Sequence, residues 1–257
     1  MSGSLSAFTQ DPYMTHEEPT HEPLNLLPPQ VVKPVPRLLG LSFDIVECIK
    51  HSRHQDGVFK VKAEIGGRRQ DAILKLFHVD DPPFGFRYRS GKALFDAECR
   101  AYANLMHYGL CDDGLVPRCY GFADFPDWNI GRCAPHLMPN QPDHWAFFRN
   151  DVRSPMALFL EYFPNMKHVG FYNLTVGVAN AALSILTRIH EAQILHYDFV
   201  PRNILVSPSG RVVIVCPTPY SYFLCLVSFT YDPRLILAKY TFIQPIRLLS
   251  VVQLAVS

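Results

Sequence analysis

The chain lacks the sequence features that mark secreted, zinc-binding or membrane-spanning proteins. Its seven cysteines are odd in number and none stands in a C-x-x-C pair, so we expect neither a zinc site nor a disulfide framework. That cysteine usage favours a reducing compartment, the cytosol or the nucleus. The longest apolar run, residues 222–230, is far shorter than the roughly 20 residues that a spanning helix needs. The sequence therefore predicts no membrane span.

An excess of charge of one sign is also missing. The 24 basic and 23 acidic residues leave a formal net charge of +1. A nearly neutral chain gives no electrostatic reason to expect a nucleic-acid partner. Apolar residues make up 48% of the 257 positions and charged residues 18%, which is typical of a globular protein and excludes wholesale disorder.

The order of apolar patterns along the chain predicts an α+β fold. Residues 1–37 are rich in proline and polar residues and are predicted to be a disordered leader. Apolar stretches then predict strands, the second and third joined by a turn at Gly66-Gly67-Arg68-Arg69. Amphipathic patterns predict helices over 92–107, ending near Gly109, and over 174–190. The predicted strands are 43–49, 58–65, 72–77, 118–122, 156–163, 204–206 and 212–215.

The motif with the most chemical content is the run His196-Tyr197-Asp198-Phe199-Val200-Pro201-Arg202-Asn203, directly before an apolar strand. It resembles the protein-kinase catalytic loop, H-x-D-x-x-x-x-N. The resemblance implies that Asp198 is the catalytic base, that Asn203 is a ligand of Mg²⁺, and that Arg202 neutralises the transferring phosphoryl group. Outside that family, the same residue types serve as turn and cap residues between a helix and a strand.

A lysine and a glutamate upstream extend the resemblance. Lys75, in the segment Asp71-Ala72-Ile73-Leu74-Lys75, resembles the lysine of the kinase V-A-I-K strand, and Glu98 follows on the first predicted helix. In kinases the lysine holds the α and β phosphates of ATP while the glutamate fixes the lysine. Taken singly, each residue is also typical of the exposed face of a strand or helix.

The remaining nucleotide-binding residues come from two segments. Residues 157–163 resemble the strand that leads into the kinase hinge, which implies that Glu161 and Phe163 receive the adenine of ATP. The glycine-rich loop of the family, G-x-G-x-x-G, is nearly missing, because Gly57 stands alone before the second strand. The resemblance implies that Gly57 approaches the phosphates and that Val58 covers the adenine.

The resemblance covers residues 43–215 and stops there. Where kinases carry D-F-G, whose aspartate binds Mg²⁺, this chain has Cys216-Pro217-Thr218 after Val215. Cysteine lacks the hard anionic oxygen that Mg²⁺ prefers. Residues 216–257 are predicted to be a non-kinase tail, and one hypothesis is that they are a translated intron.

The resemblance implies a kinase-like N-lobe and hinge over residues 38–163, an antiparallel sheet with one helix. Residues 164–215 would then be part of a helical C-lobe with the catalytic loop. The resemblance implies ATP and Mg²⁺ as cofactors and phosphotransfer to a protein hydroxyl as the reaction. Because D-F-G is missing, the chain with this sequence is expected to be inactive. The segments 95–102 and 118–122 also resemble fungal kinase-like proteins, some of which are similar to a kinetochore-associated kinase-like subunit.

Two other interpretations of the motifs stay open. In the first, the chain is a pseudokinase that acts as a binding module. In the second, it is a small-molecule phosphotransferase of the aminoglycoside or choline kinase type, whose loop often reads H-G-D-x-x-x-x-N. The sequence identifies neither a protein substrate nor a binding partner.

Overall fold

The computed structural model describes residues 31–51, 56–79, 91–124, 148, 151, 153–194, 196 and 199–215. The tail predicted over 216–257 and the predicted leader as far as residue 30 lie outside these ranges, and so do Tyr197 and Asp198 of the predicted catalytic loop. The described residues form an α+β fold in which a five-stranded sheet and a three-stranded sheet are both antiparallel. Among them, no helix has both the length and the apolar character to cross a membrane.

The five-stranded sheet is built from the first half of the described chain and one later strand. Its spatial order is β1-β2-β3-β5-β4, and one long helix, α1, lies between β3 and β4 in the sequence. The elements are β1 (Phe43–His51), β2 (Asp56–Ile65), β3 (Arg68–Phe77), α1 (Gly91–His107), β4 (Cys119–Asp124) and β5 (Met156–Glu161).

The three-stranded sheet has the order β6-β7-β8 and is accompanied by a second long helix, α2. Its β6 strand has only two residues and was not predicted from the sequence. A short 3-10 helix at Pro201–Asn203, also not predicted, directly precedes β7. The elements are β6 (Lys167–His168), α2 (Val176–Glu191), β7 (Ile204–Val206) and β8 (Val212–Ile214).

Local sequence explains where several elements begin and end. Gly66 and Gly67 both have positive φ, 59° and 74°, which is the backbone that a two-residue hairpin turn between β2 and β3 requires. The two glycines therefore form the turn, but β3 begins at Arg68, four residues before the predicted start of the strand, so Arg68 and Arg69 belong to the strand and not to the turn. The hydroxyl of Thr175 accepts a hydrogen bond from the Val178 N–H at 3.2 Å, and this N-cap starts α2 at Val176.

Each face of the five-stranded sheet buries its own group of apolar side chains. One face packs around Phe59, Leu74, Leu76 and Phe159. The other face packs against α1, and that core continues into α2, β7 and β8. The alternation of side chains along each strand thus separates a face with its own apolar core from the face that α1 covers.

The segment that follows α1 makes polar contacts with α2 and β8. The Ile214 N–H donates to the Leu115 carbonyl at 3.0 Å, and the Arg188 guanidinium donates to Asp113 at 2.7 Å. These contacts, together with the shared core, fix the three-stranded sheet relative to the end of α1.

Candidate functional site

Lys75 and Glu98 form an ion pair between β3 and α1. The Lys75 ammonium donates to Glu98 Oε2, and the two side chains are only 3% and 5% exposed. Burial raises the pKa of the Glu98 carboxyl, and the Lys75 charge offsets part of that rise. The strand and helix periodicities explain the contact, because Lys75 lies on the sheet face that α1 covers and Glu98 on the helix face turned to the sheet.

The strands beside Lys75 surround it with apolar side chains. Val58 on β2 and Leu158 on β5 are its direct cross-strand partners. Side chains opposite each other in a sheet point to the same face, so Val58 and Lys75 share one surface. In the next row, Ile73 lies opposite Leu160. The predicted nucleotide-binding residue Val58 is therefore next to the predicted lysine.

Gly57 has a packing role that the sequence did not indicate. A Cβ built at this position would lie 2.7 Å from the ring of Phe59 and 3.2 Å from that of Phe148. Gly57 therefore makes room for two aromatic rings of the apolar face, on the side of β2 opposite to Val58. Its lack of a side chain is explained by this packing without any phosphate.

The residues predicted to bind adenine lie at the end of β5 and just beyond it. The Glu161 N–H donates to the Arg118 carbonyl at 2.8 Å, and its carboxylate accepts from the Arg118 N–H at 3.1 Å. Phe163 follows the strand, and the Arg211 guanidinium lies 5.6 Å from the centre of its ring. Glu161 thus joins β5 to the residue before β4, while Phe163 contacts the β7–β8 hairpin.

The described part of the predicted catalytic loop is anchored to the last residue of the described chain. The Val215 N–H donates to the Asn203 carbonyl at 2.9 Å, and a ring nitrogen of His196 lies 3.4 Å from the Val215 carbonyl oxygen. Asn203 is 8% exposed and closes the 3-10 helix, whereas Arg202 is exposed. Asp198, the predicted base, lies outside the described residues.

One charged residue close to Lys75 was not singled out from the sequence. Asp56, the first residue of β2, is 1% exposed, and within the described part of the chain neither of its carboxylate oxygens has a hydrogen-bond partner. Its charge also acts on Glu98 and raises the pKa of that carboxyl further. A signal existed in the sequence, because an aspartate stands immediately before Gly57, but the strand was predicted to start only at Val58.

The donors that the structure describes do not assemble a metal centre. Within those ranges, no three side chains of the His, Cys, Asp and Glu types come together in a way that would hold a metal ion. Of the predicted Mg²⁺ site, Asn203 is described and has an oxygen of the right type. One amide oxygen does not by itself fit a divalent cation, so no chemical step is assigned to Mg²⁺ here.

A scan against models of known protein families and a search of curated proteins both found no match to this chain.

Proposed function

We propose that this chain is a protein-kinase-like module that binds a nucleotide, with ATP as the expected ligand, at the Lys75–Glu98 ion pair. The observation that carries the proposal is the near-complete burial of both charged side chains. Val58 on the adjacent strand would cover the base of the nucleotide, and Lys75 would contact its phosphates.

Burial of this pair is difficult to explain by stability alone. Removing an ammonium and a carboxylate from water costs several kcal/mol each, and their attraction rarely returns more than that cost. An apolar pair of the same volume would hold β3 against α1 at least as well. Charged groups retained in a buried setting are typical of sites that meet a charged ligand. Glu98 Oε1 has no hydrogen-bond partner among the residues that the structure describes, which is consistent with a pair that is incompletely satisfied without a ligand.

Two further features support the proposal. An antiparallel sheet with one helix after its third strand is the N-lobe arrangement that the kinase resemblance implies. The segment that resembles the catalytic loop directly precedes the β7–β8 hairpin, with Asn203 bonded to the end of that hairpin.

The second candidate is a binding module without phosphotransfer, a pseudokinase. It is favoured by Cys216, which stands directly after Val215 where the resemblance calls for a metal-binding aspartate. In this form the module would bind a nucleotide, or a protein partner, without transferring phosphate.

Calorimetric titration of the full chain with ATP tests the proposal. The informative variant is Lys75→Met, and the matched control is Lys62→Met, which removes a lysine whose side chain is 57% exposed on β2. We expect Lys75→Met to weaken ATP binding at least tenfold and Lys62→Met to change it less than twofold. Absence of ATP binding by the unmodified chain, or equal binding by Lys75→Met, would refute the proposal.

The same titration with and without Mg²⁺ separates the two candidates. Binding that needs Mg²⁺ favours phosphotransfer, because a metal ion would then supply the positive charge that transfer of a phosphoryl group requires. Binding that is indifferent to Mg²⁺ favours the module without phosphotransfer.

A further inference from the structure

Asp56 lies in a setting that is unusual for a carboxylate. It is almost fully buried, and the structure provides no hydrogen-bond donor for either oxygen among the described residues. Buried carboxylates are ordinarily paired with a cation or accept several hydrogen bonds.

The strand register places Asp56 on the same face as Lys75. Asp56 lies opposite Phe77, and Val58, two residues further along β2, lies opposite Lys75. Residues two apart on a strand share a face, and diagonal neighbours have Cβ atoms about 7–8 Å apart. The Lys75 ammonium also reaches back along this face, because it lies 5.2 Å from the centre of the Phe77 ring.

One ammonium group therefore shares this region with two carboxyl groups. The Lys75 ammonium already donates a hydrogen bond to Glu98 Oε2. Asp56 adds a negative charge close enough to act on Glu98. A phosphate group approaching Lys75 meets that additional negative charge in a setting of low dielectric. Like charges a few ångströms apart repel each other far more strongly in such a setting than in water.

We infer that Asp56 is a specificity-determining residue of the site: its buried carboxylate keeps the affinity for the phosphates of a nucleotide low and leaves the affinity for the nucleoside unaffected. This inference rests on the proposed function for the location of the site. The charge of Asp56 also gives a physical reason why the start of β2 does not bind phosphate as the glycine-rich loop of kinases does. A glycine there would leave open space and bare amides for a phosphate, whereas Asp56 fills the position with negative charge.

The test is the affinity of the full chain for three ligands: ATP, adenosine and inorganic tripolyphosphate. The variant is Asp56→Asn, which keeps the shape of the side chain and removes its charge. The control is Asp71→Asn on β3, an aspartate that pairs with Lys60 at 3.2 Å and is 36% exposed. Asp56→Ala serves as a second variant, and circular dichroism verifies that all the proteins are folded.

We expect Asp56→Asn to bind ATP and tripolyphosphate at least tenfold more tightly, with adenosine affinity changed less than twofold. Asp71→Asn should leave all three affinities within twofold. If adenosine binds but Asp56→Asn and Asp56→Ala leave the affinity for ATP and tripolyphosphate unchanged, the role of Asp56 is refuted and the proposed site stands. If only tripolyphosphate binding tightens and neither nucleoside nor nucleotide binds, the role of Asp56 stands and the proposed function fails. If no ligand binds to any of these proteins, both are refuted.

Discussion

Gly91, the first residue of α1, lies directly against the backbone of His78. A Cβ built on Gly91 would overlap the His78 carbonyl oxygen. His78 itself is fixed in place, because its Nδ1 lies 2.9 Å from both Asp151 oxygens and its ring stacks on Phe148 at 4.2 Å. The start of the helix that carries Glu98 is therefore set by contact with a residue that has little freedom to move.

This contact predicts that Gly91→Ala destabilises the protein. By helix propensity alone, replacing glycine with alanine stabilises a helix by about 1 kcal/mol. Here the added methyl group must displace backbone, and overpacking of that kind costs about 1–3 kcal/mol. We expect a lower free energy of unfolding in urea and, because α1 shifts, a weaker Lys75–Glu98 contact.

Gly177→Ala on α2 is the matched control. A Cβ there would meet only the Thr175 hydroxyl, at an ordinary 3.8 Å. Helix propensity then acts unopposed, so the free energy of unfolding should rise by up to about 1 kcal/mol. Equal effects of the two substitutions would contradict the steric explanation.

The Lys75–Glu98 pair gives a second prediction. Lys75→Met leaves Glu98 buried without its cation, which should lower the free energy of unfolding by about 3–5 kcal/mol. The double variant Lys75→Met/Glu98→Leu removes the stranded Glu98 charge and should recover most of that loss. Urea denaturation of both variants measures the difference. A double variant as unstable as the single one would mean that packing, not charge, dominates at this position.

The sequence predicted both long helices to within about two residues, for reasons that the structure makes clear. Apolar periodicity marked the buried stripe of each helix, Thr175 caps α2, and Gly109, with φ of 77°, lies just past the end of α1. The resemblance to the kinase lysine and glutamate brought Lys75 and Glu98 forward as a pair, and the structure places them in contact.

Features that depend on distant partners were not predictable. The two residues of β6 are exposed and show no alternation, and they form a strand only because they pair with β7, nearly 40 residues later. The burial of Asp56 arises from its position opposite Phe77 on another strand. Gly57 was expected to approach phosphates, yet its small size is required by the rings of Phe59 and Phe148. Phe148 is distant in the sequence, and Phe59 lies on the face of β2 opposite to Val58.

The thiols of Cys99, which is half-buried, and Cys111, which is buried, should react slowly in the folded protein. Burial raises the pKa of Cys99 to about 12 and that of Cys111 to about 11, from an ordinary 9.0. Because only the thiolate reacts with iodoacetamide, alkylation at pH 8 should be slower than in the urea-unfolded chain by about 100-fold or more. Peptide mass spectrometry of a labelling time course measures each site. Cys48, which lies on the edge strand β1 and is less buried, should be alkylated first among the described cysteines. Equal rates with and without urea would contradict the burial of these thiols.

The last prediction concerns the pH dependence of stability. Burial near the end of α2 lowers the pKa of His190 below its ordinary value of 6.5. The unfolded chain therefore takes up a proton at this residue at a higher pH than the folded protein does. Stability is fully present above about pH 6.5 and is lost as the pH falls from there towards the lowered pKa, with a slope of at most about 1.4 kcal/mol per pH unit.

His190→Leu removes this titrating group and keeps the position apolar. The free energy of unfolding of the unmodified chain minus that of His190→Leu should therefore decrease as the pH falls below 6.5, because only the unmodified chain has the titrating group at this position. Glu98, whose pKa is raised, contributes a slope of the opposite sign, but it is common to both proteins and cancels in the difference. A difference that stays constant between pH 5 and pH 8 would mean that His190 takes up its proton equally well in the folded protein.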